Sequence, residues 1–208
     1  MKAVRTVPLL PAIYTSPTGE PHTWKYHGIL KPDPLEESLK RKSPVWCDGG
    51  GLVRLSDGRW RLYANNYLEN VVSAAEAPSL DGPWKFLRDD KGQIRNLTSC
   101  YSDPTHGSAF PSVLRVSDHE WHLWLSNGWP VREIYHLWST DGLDWKLYGK
   151  QPELTPAMFE GHDIKCIRAY LDPDGKHIVG LLSIDHDWKG QGNQWVSFKS
   201  RMPVGPPE

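Results

Sequence analysis

A thirteen-residue stretch that recurs in register leaves this chain few folds to choose from. G-L-V-R-L-S-D-G-R-W-R-L-Y from Gly51 aligns without a gap on S-V-L-R-V-S-D-H-E-W-H-L-W from Ser112, an offset of 61 residues. Arg54 falls on Arg115, Asp57 on Asp118, Trp60 on Trp121, Leu62 on Leu123 and Tyr63 on Trp124. A Trp-Lys pair followed by an apolar or aromatic residue recurs independently at Trp24, Trp84 and Trp145, in steps of 60 and 61. A looser copy of the first motif, C-I-R-A-Y-L-D-P-D-G-K-H-I-V-G from Cys166, carries Asp174-Gly175 where the first has Asp57-Gly58. A fixed long period of this kind means one supersecondary unit packed against copies of itself.

The unit reads as all β. Leu52 to Leu55, Trp60 to Tyr63, Val113 to Val116, Trp121 to Leu125 and His177 to Leu182 are short runs of β-branched, aromatic and apolar residues. Asp-Gly or Ser-Asp turn signals bound them, and Asp57-Gly58 and Asp174-Gly175 are strong hairpin turns because glycine accepts positive φ. Third strands follow at Val71 to Ala75 and Ile134 to Ser139, then turns at Asp81-Gly82-Pro83 and Asp141-Gly142, then fourth strands carrying Trp84 or Trp145. Four antiparallel strands in about 60 residues make a β-propeller blade. The expected layout is one domain over 1–208, with a partial blade at about 1–32, whole blades at about 44–100 and 106–154, and a partial blade at about 160–201. That is about three and a half blades, fewer than the roughly 4 to 8 with which propellers close, so a fragment or an oligomer is expected. Helical periodicity is confined to one or two polar turns expected over Pro34 to Lys42.

Composition removes several function classes. Lys and Arg total 24 against 25 for Asp and Glu, a formal net charge of −1 without long blocks of either sign. This gives no footprint for nucleic acid or an anionic membrane. Apolar runs fall far short of the roughly 18 residues that cross a bilayer, and no signal-peptide core follows Met1-Lys2-Ala3, so the chain is expected to be soluble and, as written, cytoplasmic, while the localisation of the protein stays open between that and secretion. Cys47, Cys100 and Cys166 lack metal-site or disulfide spacing and read as buried free thiols. The 11 tryptophans divide in two. Trp24, Trp60, Trp84, Trp121, Trp124 and Trp145 occupy repeated positions and are expected to pack the blades, whereas Trp46, Trp129, Trp138, Trp188 and Trp195 are not explained by the repeat.

F-P-S-V-L-R-V from Phe110 with W-H-L-W-L-S, I-Y-H-L-W-S-T-D-G-L-D-W from Ile134, D-G-P-W from Asp81 and F-E-G-H-D-I-K from Phe159 together resemble the five-bladed propellers of glycoside hydrolase families 43 and 32. The first three are blade architecture. The last is similar to the family's E-G-P or E-C-P-D segment, which opens a blade and carries the general acid. The resemblance implies a carbohydrate ligand, Glu160 as that acid and Asp163 as the acidic residue that sometimes follows it. His162 stands where the family has proline, and Ala109 where the preceding blade should open with aspartate. Asp48, in W-C-D-G-G-G at a blade opening, is the candidate opposing carboxylate, and Asp103 supplies one if its entry loop folds back.

Glycoside hydrolysis needs one carboxylic acid to protonate the leaving oxygen and a carboxylate opposite it. Blade openings suit that task, because acids about 60 residues apart in sequence meet around one axial funnel, where crowding splits their pKa values. The plainer reading makes Glu160 a solvated loop carboxylate and Asp48 a turn former before its glycines. His106, His162 and Asp163 are candidates for binding sugar hydroxyls. With no third close ligand in the pattern, no metal or other cofactor is expected. Trp46 and Trp129 are candidates for stacking on a sugar ring. The competing functions are a non-catalytic carbohydrate-binding or interaction propeller and, from S-T-D-G-L-D-W at Ser139, a sialidase-like one.

Overall fold

The computed structural model describes residues 12–30, 47–66, 71–101, 108–127, 133–185 and 193–202. Among these residues the structure is all β, with two single 3-10 turns and no α-helix. A first sheet pairs β1 (Ala12–Thr15) with β2 (Lys25–Ile29). A second runs β3 (Cys47–Arg54), β4 (Trp60–Asn66), β5 (Val71–Ala77) and β6 (Lys85–Phe86) in that spatial order. The third repeats it with β7 (Ser108–Ser117), β8 (Glu120–Asn127), β9 (Ile134–Ser139) and β10 (Lys146–Leu147). The fourth holds β11 (Asp163–Leu171), β12 (His177–Asp185) and β13 (Asn193–Arg201). All are antiparallel meanders and none closes on itself, which is the architecture of consecutive propeller blades.

Turn chemistry sets the hairpins. Gly58 at φ +88° donates its N–H to the Leu55 carbonyl, while an Asp57 carboxylate oxygen accepts the Arg59 N–H at 3.0 Å. Gly175 at φ +66° does the same to Asp172, and Asp174 accepts the N–H groups of Lys176 and His177. Where Asp118-His119 lacks the glycine, the Ser117 hydroxyl accepts the His119 N–H instead.

Three apolar clusters lie in the wedges between neighbouring sheets. Ile13 and Leu30 of the hairpin segment pack on Leu62, Ala75, Trp84 and Phe86 of the second sheet. Tyr63, Val72 and Ala74 of the second meet Trp121, Leu123 and Trp145 of the third. Leu114, Trp124 and Ile134 of the third meet Ile167, Ile178 and Leu182 of the fourth. The hairpin covers only the outer part of the second sheet: Leu62 is buried, but its cross-strand partner Leu52 on β3 stays 41 % exposed.

Two expectations need correction. Trp84, Trp121, Trp124 and Trp145 are buried as blade-packing residues, but Trp24 is 52 % exposed, because the hairpin buries one face only and Trp24 lies on the side the second sheet does not cover. Of the thiols, Cys166 is buried, whereas Cys100 is exposed in the turn that follows Leu97 and Thr98. The polar turns expected at Pro34 to Lys42, Cys47's side chain and Trp188 lie outside the described residues.

Candidate functional site

The inner strands β3, β7 and β11 lie side by side and run the same way. Gly51 sits against Val113, the Arg115 guanidinium donates to the Arg54 carbonyl at 2.8 Å, and the Ala169 N–H donates to the Ser112 hydroxyl at 3.0 Å. Their first residues therefore share one rim, with Asp48 on β3, Ala109 on β7 and Asp163 on β11. Below that rim the three strands border a channel of about 570 Å³ that Gly51, Leu52, Ser112, Arg115 and Tyr170 help to line.

The glycines of C-D-G-G-G make this approach possible. A Cβ on Gly50 would stand 2.5 Å from the Tyr63 carbonyl oxygen, and one on Gly51 would stand 2.8 Å from the Val113 Cβ. Asp48 consequently lies within a strand, and the reading of it as a turn former is corrected. It sits in an irregularity of the ladder, between Cys47 paired with Asn65 and Gly50 paired with Ala64. The other inner strands break register at the corresponding place, between Ala109 and Ser112 and between Ile164 and Cys166. Bulges of this kind re-aim side chains, and they concentrate at barrel rims and active sites. One at the start of every inner strand is a feature that local strand pattern does not announce.

Glu160 follows the 3-10 turn Pro156–Phe159, which ends against the opening of β11. Its backbone is left-handed, at φ 55° and ψ 25°, and its residue is exposed. The Gly161 N–H closes on the Pro156 carbonyl and the His162 N–H on the Phe159 carbonyl, both at 2.9 Å. His162 and Asp163 are half-buried beside it, with Asp163 opening β11 opposite Asp185. Glu160 and His162 thus stand in the turn that leads into Asp163, the first residue of β11, and the Asp48 backbone lies on the same rim. Asp103, His106, Trp46 and Trp129 lie outside the described residues.

Phe110 also has positive φ, at 52°, and it falls in the bulge that opens β7. In the sequence, F-P-S at Phe110 reads as blade architecture only. The following proline, which steers the residue before it away from the right-handed helical region, was the one available signal of unusual backbone there. Among the described residues, Phe110 and Glu160 are the two non-glycine positions with positive φ, and groups of three or more His, Cys, Asp or Glu able to hold a metal ion are absent from those residues.

Several solved structures share this arrangement of blades. An α-L-arabinofuranosidase from Clostridium thermocellum superposes with a TM-score of 0.52 at 17 % identity, over 89 % of this chain and 56 % of that one. An endo-1,5-α-L-arabinanase from Thermotoga petrophila gives 0.55 at 18 %, over 88 % of this chain and 46 % of that one. An exo-β-1,3-galactanase from Phanerochaete chrysosporium gives 0.52 at 13 %, over 84 % and 38 %. No protein-family model matches the sequence, and no curated protein is similar to it in sequence. The chain spans about half the length of these structures or less, and at such identity the likeness is one of fold. The expected resemblance to the propeller glycoside hydrolases stands at that level: this chain carries consecutive blades of the same kind of propeller.

Proposed function

We propose that the chain is the carbohydrate-handling part of a propeller glycosidase, acting on O-glycosyl bonds of arabinan- or galactan-like polysaccharide. Glu160 is the proton donor to the leaving oxygen. Asp48 is the opposing carboxylate, with Asp103 as its alternate. His106, His162 and Asp163 hold sugar hydroxyls, and Trp46 and Trp129 stack on the ring. The observation that carries this reading is the backbone at Glu160. A left-handed residue with a Cβ costs about 1–2 kcal/mol, survives only where its surroundings over-determine it, and occurs preferentially at active sites. Glu160 adopts that conformation on the rim where the inner strands open, and the neighbouring structures are named as glycosidases.

The test is hydrolysis of aryl α-L-arabinofuranosides, linear arabinan and β-1,3-galactan by the unaltered chain, Glu160→Gln and Glu160→Gly. Loss of a general acid should cut turnover by about 10²–10⁴-fold, while Glu160→Gly, which suits the left-handed backbone, keeps the melting temperature. Ala109 at the β7 opening favours a second reading, a non-catalytic carbohydrate-binding module. In that case the chain binds oligosaccharide without cleaving it, and Glu160→Gln leaves the binding constant unchanged.

A further inference from the structure

Two of the three wedges between neighbouring sheets are closed by the same device. Trp84 is fully buried against Ile13 and Leu30 of the preceding sheet. Trp145 meets the ring of Tyr63 in the preceding sheet edge to face, with centroids 6.2 Å apart, and packs with Trp121 and Leu137 of its own. In each case the tryptophan leads into a two-residue outermost strand whose lysine points to solvent and whose apolar residue turns inward.

The third wedge differs. The fourth sheet ends at β13, with no fourth strand among the described residues. A groove of about 210 Å³ runs between the third and fourth sheets there, lined in part by Trp124, Leu154, Phe159, Leu182, Val196 and Phe198. Trp124 is the repeat equivalent of Tyr63, the residue against which Trp145 packs. The groove is smaller than the roughly 300–1,000 Å³ of small-molecule pockets, and it suits one aromatic side chain.

We propose that this groove and the edge of β13 form a docking site for an extended polypeptide segment from outside these 208 residues. That segment carries tryptophan, then lysine, then an apolar residue. It adds the missing outermost strand to the fourth sheet and inserts its indole against Trp124, a β-augmentation with a side-chain anchor. The chain's own candidates fit poorly. Residues 203–208 contain three prolines and no tryptophan, so they supply neither the indole nor, at those three positions, an N–H for the ladder. Trp188-Lys189 falls between Asp185 and Asn193, whose pairing marks the opposite end of the sheet from the His177–Arg201 pairing beside which the groove lies.

The experiment is an anisotropy titration of the 208-residue chain with a fluorescein-labelled peptide of residues 81–88, Asp-Gly-Pro-Trp-Lys-Phe-Leu-Arg. Saturable binding is expected, weakened at least about tenfold by Trp84→Ala in the peptide, an arm that leaves the chain itself unaltered. Val196→Trp in the chain, which fills the groove from an exposed position, should weaken it similarly, with a circular-dichroism melt to establish that the variant folds. No saturation up to about 1 mM, or equal binding of the two peptides, overturns the proposal. So does a homodimer in light scattering that Trp24→Ala dissociates, since the exposed Trp24 of a second copy would then be the occupant.

Discussion

His122 is fully buried yet ionisable, and its neighbours explain how the fold tolerates it. Its Nδ1 lies 2.9 Å from His136 Nε2, and His136 Nδ1 lies 2.9 Å from a Glu153 carboxylate oxygen that also accepts the Trp124 indole N–H at 3.0 Å. The His136 ring is stacked between Trp124 and Tyr148, and Glu120 stands 3.5 Å from His122 Nε2. Burial, reinforced by His136, pushes the His122 pKa down to about 4. For Glu153 burial acts upward, but the His136 hydrogen bond and charge and the Trp124 N–H outweigh it and hold the carboxyl below its ordinary range. Because His122 takes up a proton near pH 6.5 when unfolded and near 4 when folded, its stabilising contribution is complete above pH 6.5 and is lost as pH falls toward 4. The loss should be on the order of 2–3 kcal/mol. Chemical unfolding between pH 7 and 4 should show this decline, and His122→Asn, which keeps a nitrogen near the Nδ1 position, should flatten it. An unchanged slope in the variant would assign the decline to other groups.

Between elements, the grip of one blade on the next comes from the turn before each fourth strand. Arg61, held by Glu76 at 2.7 Å, donates to the Asp141 carbonyl at 2.9 Å, and the Tyr63 hydroxyl donates to the Gly142 carbonyl at 2.8 Å. Burial raises the Tyr63 pKa to about 12, so the phenol stays a donor. Asp141 and Ser139 build the turn itself, with an Asp141 carboxylate oxygen accepting the N–H groups of Leu143 and Asp144. One blade earlier, His27 reaches Asp81 at 3.0 Å across the equivalent junction. Gly142 has φ +71°, and a Cβ there would stand 2.5 Å from the Tyr63 hydroxyl and 2.9 Å from the Trp121 ring. Gly142→Ala should therefore cost about 2–4 kcal/mol, the left-handed penalty plus overpacking, read from the denaturant midpoint. A loss under about 1 kcal/mol would mean the junction yields. The strands themselves were legible, because alternation and Asp-Gly turns act within a few residues: Ile134 to Ser139 was read to the residue. The clasp was not, since Tyr63 and Gly142 meet 79 positions apart. Nor was the Glu160 backbone, because glutamate carries no mark of positive φ. The inward alternation of His122 and His136 in W-H-L-W and Y-H-L-W was the available sign of the buried pair.

At the scale of the molecule, the blades form an arc with an apolar face at each end. One end presents Tyr14, Tyr26 and Ile29 on the hairpin, with Tyr14 and Tyr26 in edge contact at 5.5 Å. The other presents Tyr170, Leu181 and Trp195 on the fourth sheet, Trp195 being 55 % exposed. These three alternate with the inward Ile167, Ala169 and Leu182, so they lie on the face turned away from the third sheet, where a closed ring would place its next blade. The tryptophans show why sequence could locate blades but not ends: the repeat marks Trp24 and Trp84 alike, and burial depends on whether a preceding sheet stands beside them. Large exposed apolar patches drive association, while side chains already in solvent contribute little to folding. Tyr170→Ser with Trp195→Ser should therefore raise solubility and suppress concentration-dependent association in light scattering, leaving the thermal midpoint within about 4 °C of the unaltered chain, the shift expected for roughly 1 kcal/mol at this size. A larger fall would show that these two side chains are covered by other parts of the chain.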